Sequence, residues 1–129
     1  MSENVDIVRR ALRHVSDTGE PDLDLYDSGV IWTTRSDGPG SSTYRGLDGL
    51  QRGHESFREA WAEHRGQIID TVEVGDACVT EIRWHLRGHS GVELEVVEGW
   101  AVWIKDAKIT RLEQHGSKQE ALEAAGLQG

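Results

Sequence analysis

The chain has 129 residues, room for one domain around one core; 36% are hydrophobic and 29% charged, and 23 acids against 14 Lys and Arg leave a net charge of −9. That charge repels phosphate backbones and anionic lipid, and no apolar run is long enough to cross a bilayer or serve as a signal-peptide core. We therefore expect one domain over residues 1–129, cytoplasmic, with no nucleic-acid or membrane partner, and its lone Cys78 as a buried thiol without a catalytic role.

Val5, Val8, Leu12 and Val15 recur at helical spacing, with Glu3 and Asp6 in the first turn and Gly19 as a stop, which predicts a first helix. Arg9, Arg10 and Arg13 fall on its polar side beside acids and read as a solvated face. Pro21 opens a short second helical stretch through Leu25 and Tyr26, ended by Ser28 and Gly29, and residues 30–34 have strand composition. The Gly- and Ser-rich run 36–42 is a loop. A third helix follows Gly46, carries Leu47, Leu50, His54, Phe57 and Trp61 on one stripe, and ends near Gly66. A strand over 67–74 and a turn at Gly75-Asp76 lead into three further strands, 79–87, 93–104 and 108–115. Ser117 and Glu120 form a capping box for a last helix through Leu122 and Ala125, closed by Gly126. Helices mixed with one strand, then an antiparallel meander, predict an α+β fold with helices packed on one face of a curved sheet.

With the first hairpin turn centred near Ser90, Leu86 faces Leu94, Trp84 faces Val96, Ile82 faces Glu98 and Thr80 faces Trp100, while Glu81, Arg83, His85 and Glu95 share the other face. A second turn between Asp106 and Ala107 sets Glu98 opposite His115 on the apolar face. Burial raises a carboxyl pKa and a protonated imidazole lowers it again, so the pair holds a proton near neutrality: His115 is a candidate general base oriented by Glu98. The alternative is a structural hydrogen bond at a pocket rim. The same register turns Arg111 inward, and a single bulge in the last strand would reverse all of it.

His54 lies on the inward stripe of the third helix, either as a pocket acid, base or ligand donor or as a core histidine bonded to backbone. Of the five tryptophans, Trp32, Trp61 and Trp100 are pocket candidates, Trp84 is core, and Trp103, with Ala101 and Leu112, belongs to the opposite face and a dimer interface. Tyr26 occupies a core position with its hydroxyl toward the cavity, and Glu113 joins the ligand-binding set beside His115. His85 and His89 sit across a Gly-Ser hairpin turn and make no metal site; Glu98, Glu113 and His115 are the one group that resembles one, and no bound metal is expected. Gly38-Pro39-Gly40 opens no helix, so no nucleotide cofactor is implied.

The segments "YDSGVIWTT", "YRGLDGLQRG", "GVELEVVEGWAVWIKDAKITRLEQH" and "EALEAAGL" together resemble a SnoaL-like member of the nuclear transport factor 2 superfamily over nearly the whole chain. The resemblance implies a cone-shaped curved antiparallel sheet with helices on its concave face, a pocket between them, and commonly a homodimer. Such proteins include polyketide cyclases, ketosteroid isomerases, limonene epoxide hydrolases, dehydratases and pure binding or assembly modules. A ketosteroid isomerase would offer a tyrosine and an aspartate where this chain has Ala11-Leu12 and Trp32-Thr33-Thr34. The family's frequent pocket histidine is Trp100 here, and the Arg and Asp two apart of epoxide hydrolases are echoed only by Glu81 and Arg83, on the other face. Two functions are open. One is a cofactor-independent acid-base enzyme on a small apolar organic molecule, using Glu98, His115 and His54. The other is a non-catalytic ligand-binding or dimeric assembly module.

Overall fold

The computed structural model describes residues 3–35 and 43–126; the expected loop 36–42, with Gly38-Pro39-Gly40, lies outside them. Helix α1 (Glu3–Thr18) buries Ile7, Val8, Ala11, Leu12 and Val15 on one face and stops at Gly19, whose positive φ of 73° suits a residue without a side chain. Asp22 then caps a single 3-10 turn, Leu23–Leu25, by accepting from the Asp24 N–H at 3.3 Å. The expected second helix therefore ends a residue early. Tyr26 already belongs to strand β1 (Tyr26–Thr33), because it pairs with Ile109 of the last strand, β6 (Lys108–His115).

Strand β2 (Thr43–Arg45) leads into helix α2 (Gly46–Ala60). Trp61 is extended, so α2 is shorter than its stripe suggests and β3 (Glu63–Val74) begins earlier than expected. Cross-strand pairing decides this: β3 matches β4 (Ala77–Arg87) over its whole length, down to Glu63 opposite Arg87. Strand β5 (Glu93–Lys105), β6 and helix α3 (Lys118–Ala124) complete the described chain. One curved, unclosed sheet runs in the order β2-β1-β6-β5-β4-β3, antiparallel throughout except for β1 beside β6.

The inner face collects Val30, Trp32, Ile82, Trp84, Leu86, Trp100, Val102, Ile109 and Leu112 under α1 and α2. Helix α3 departs from the expectation that helices share one face. It packs Ala121 and Leu122 onto Val79, Ala101 and Trp103 on the outer side. Gly99 makes room for the turn into it, since a Cβ there would lie 2.3 Å from the Ser117 carbonyl oxygen.

The β4–β5 register is the expected one, with Ile82 opposite Glu98 and Trp84 opposite Val96. The β5–β6 register is not. Its turn does fall at Asp106 and Ala107, both with positive φ (51° and 63°) as in a type I′ hairpin. A bulge then intervenes: Ile104 faces Ile109, Trp103 faces Arg111, and Thr110 is the extra residue, its hydroxyl donating to the Trp103 carbonyl at 3.2 Å. His115 consequently lies opposite Gly99, and the expected Glu98–His115 pair is not formed. Leu112, expected outside, faces in, while Arg111, Glu113 and His115 face out. The physical reason is burial: a regular strand would push the Arg111 guanidinium into the core, whereas the bulge sets it 4.8 Å over the Trp103 ring and in an ion pair with Glu113.

Candidate functional site

A cavity of about 320 Å³ opens between α2 and the inner face of the sheet. Strands contribute Trp32 from β1, Tyr44 from β2, Trp84 from β4, Trp100 from β5, and Leu112 and Gln114 from β6; α2 contributes Leu50, Gly53, His54 and Phe57. Ser56 and Ala60, both exposed, mark its mouth along the C-terminal half of α2. The walls are aromatic: Phe57 meets Trp84 edge-on at 5.6 Å, and Trp84 lies 6.2 Å from Trp100. A larger groove of about 720 Å³ runs between α1 and β3, but it is a trough flanked by Arg9, Arg13, Asp17 and Asp70 with no comparable convergence of buried polar and aromatic groups.

Helical spacing places His54 one turn after Leu50, and its Nδ1–H donates to the Leu50 carbonyl at 2.8 Å. A carbonyl only accepts, so the proton sits on Nδ1 and Nε2 keeps its lone pair. The ring is buried against Trp32, with centroids 4.7 Å apart. Burial pushes its pKa down to about 4, assisted by the Arg58 charge and opposed by the bond to Leu50, so the imidazole is neutral at physiological pH.

Glu98 is buried where expected on the inner face, but its partners are indoles. One carboxylate oxygen accepts from Trp84 Nε1–H at 2.9 Å and from Trp100 Nε1–H at 2.6 Å. Desolvation raises its pKa, while these two bonds and the Arg35 charge pull it back. Glu98 stands behind the two rings and is not among the residues lining the cavity, so it fixes the wall and does not face a ligand.

Of the other expected site residues, Tyr26, Trp32 and Trp100 line the cavity, and Tyr26 is fully enclosed, which raises its phenol pKa. Trp61 does not line it: Trp61 caps α2 and packs on the core from the side. Glu113 and His115 are bonded to each other at 3.1 Å on the outer face, away from the cavity. Among the described residues no three His, Cys, Asp or Glu side chains gather as metal ligands. Sequence reasoning missed Tyr44 and Gln114. Tyr44 sits in a three-residue strand with little pattern to betray it, and the bulge hides Gln114.

Residues 8–112 match the SnoaL-like domain family. The chain belongs to the SnoaL-like family. No curated protein sequence matches it. Among solved structures, a nuclear transport factor 2-like protein of unknown function from Burkholderia pseudomallei superposes with a TM-score of 0.80 at 18% identity, over 98% of this chain and 100% of that one. TerC, co-crystallized with polyporic acid, gives the same values: 0.80, 18%, 98% and 100%. A SnoaL-like polyketide cyclase from Jannaschia gives 0.75 at 13% identity, over 98% and 94%. At such identities the likeness is one of fold, so the chemistry of this SnoaL-like cavity rests on its own residues. It presents broad ring faces, one neutral imidazole, two phenols, the Thr34 and Ser56 hydroxyls and an amide, and among the described residues its lining contains no carboxylate or cationic side chain.

Proposed function

We propose that this SnoaL-like protein binds a small, flat, uncharged organic molecule in the aromatic cavity and moves a proton on it through His54, without a cofactor. The observation that carries this reading is the buried imidazole fixed as the Nδ1–H tautomer with its Nε2 lone pair unprotonated. A base with a pKa of about 4 has the strength of an ordinary carboxylate and is available at every physiological pH. Polar side chains of the cavity, among them Tyr26, Tyr44 and Gln114, supply donors for an oxygen that gains charge when a neighbouring C–H is removed. Co-crystallization of the similarly folded TerC with polyporic acid supports a small organic ligand. Glu98 is a positioning residue in this scheme, holding Trp84 and Trp100. Residues 1–129 act as one cytoplasmic domain, and the protein associates as a homodimer through the outer sheet face, where exposed Val97 lies beside Arg83.

Two measurements test it. Naphthol added to protein labelled at the indole nitrogens is expected to move the Trp32, Trp84 and Trp100 N–H signals and leave Trp103, on the outer face, in place; movement of Trp103 alone refutes the site. Deuterium uptake at the enolisable carbon of tetralone is expected to be accelerated by the wild type and to fall at least about a hundredfold in His54→Phe. Binding without accelerated uptake would make the protein a ligand carrier, the second reading, which the enclosed aromatic lining favours on its own.

A further inference from the structure

Three indoles line the cavity, and two have their N–H groups engaged by Glu98. The third does not. Trp32 Nε1 is buried and finds no hydrogen-bond partner among the described residues, a condition that native interiors rarely tolerate without a reason. Packing alone holds this ring: it leans on Tyr44 at 5.1 Å and on His54 at 4.7 Å, and its benzo edge fits over Gly53, where a Cβ would come within 2.3 Å of Cζ3. The donor is thus kept in place by shape, with no bond to satisfy it.

His54 complements it. The bond from Nδ1–H to Leu50 leaves Nε2 as an acceptor, so two touching rings offer one group that can only donate and one that can only accept. An anion would meet the lone pair unfavourably, and among the described residues the lining has no cationic side chain to receive it. We propose that Trp32 and His54 recognise a neutral ligand carrying both a carbonyl and a hydroxyl on one flat frame, with Trp32 Nε1–H donating to the carbonyl oxygen and the hydroxyl donating to His54 Nε2. Nε1 is closed to water in the empty cavity; donation to a ligand oxygen therefore requires the indole to pivot against Tyr44 and His54, a motion resisted by packing and by no hydrogen bond of its own. This pairing rests on the cavity reading above and adds to it the ligand class.

Calorimetric titration with three compounds sharing a two-ring frame separates the two nitrogens: tetralone has only the carbonyl, tetrahydronaphthol only the hydroxyl, and a phenolic hydroxytetralone has both. Wild type is expected to bind hydroxytetralone tightest. Trp32→Phe keeps an aromatic ring and loses the donor. It should weaken tetralone and hydroxytetralone about five- to tenfold and leave tetrahydronaphthol within about twofold. His54→Phe should do the converse. In unsubstituted protein, which avoids any question of folding, saturating tetralone should shift the Trp32 indole proton downfield more than those of Trp84 and Trp100. An unmoved Trp32 proton, or a Trp32→Phe protein that weakens all three compounds alike, overturns the donor assignment while the cavity stands. Failure of all three to bind wild type overturns the cavity reading and the pairing together.

Discussion

A neutral histidine held by a backbone carbonyl has a thermodynamic signature. Unfolded, His54 takes a proton near pH 6.5; folded, it does so only near 4. Between those values the unfolded state binds more protons, so the stability His54 contributes is complete above pH 6.5 and is lost as pH falls toward 4, on the order of 3 kcal/mol in all. Urea midpoints taken from pH 7 to pH 4 should fall steeply in wild type and more gently in His54→Gln; parallel curves would mean that the imidazole is not buried as described. Glu98 has the opposite sign. Its raised carboxyl contributes stability below its ordinary value of 4.5, and that contribution is lost as pH rises through the folded value. Both residues could be picked from the sequence, because each interrupts an apolar face. Their partners could not, since a carboxylate receiving N–H bonds from its own strand and from the strand beside it depends on side-chain rotamers, which strand periodicity does not encode.

At the scale of elements, β4 and β5 were readable because long alternating runs admit one register that buries the apolar set. Strand β6 is where alternation misleads. Ile109 and Leu112 are three residues apart, so a regular strand would send them to opposite faces, whereas the bulge brings both into the core. Helix α3 was foreseen from its capping box, with the Ser117 hydroxyl accepting from Glu120 N–H at 3.2 Å, but not the face it covers. That choice follows from small outer-face residues. Gly99→Ala should destabilise the protein by about 1–3 kcal/mol, because the new Cβ meets the Ser117 carbonyl, backbone that yields poorly. Gly88→Ala, whose Cβ would lie 3.8 Å from its nearest neighbour, should change stability by less than about 0.5 kcal/mol. Equal urea midpoints for the two variants would contradict the packing of α3 on β5.

For the whole molecule, order of elements and hydrophobic periodicity sufficed to indicate the α+β architecture, while the family was indicated by the resemblance of four segments spread along the chain. The proposed homodimer would use the outer face. Val97, 41% exposed, faces away from the core on β5, and sedimentation should show a dimer that dissociates when Val97 is replaced by Lys; a wild-type monomer at every concentration would place the outer face in solvent.

Thr110 works as a clutch in the last strand. It is the one unmatched residue between two in-register stretches, so deleting it would close the ladder and leave residues 111–115 opposite the same partners and on the same faces. Keeping it but drawing it into a regular ladder would instead turn Leu112 and Gln114 out of the cavity and Arg111, Glu113 and His115 inward. The neutral character of the lining thus rests on one residue standing out of register, and the same side chains in the same order could furnish a charged one.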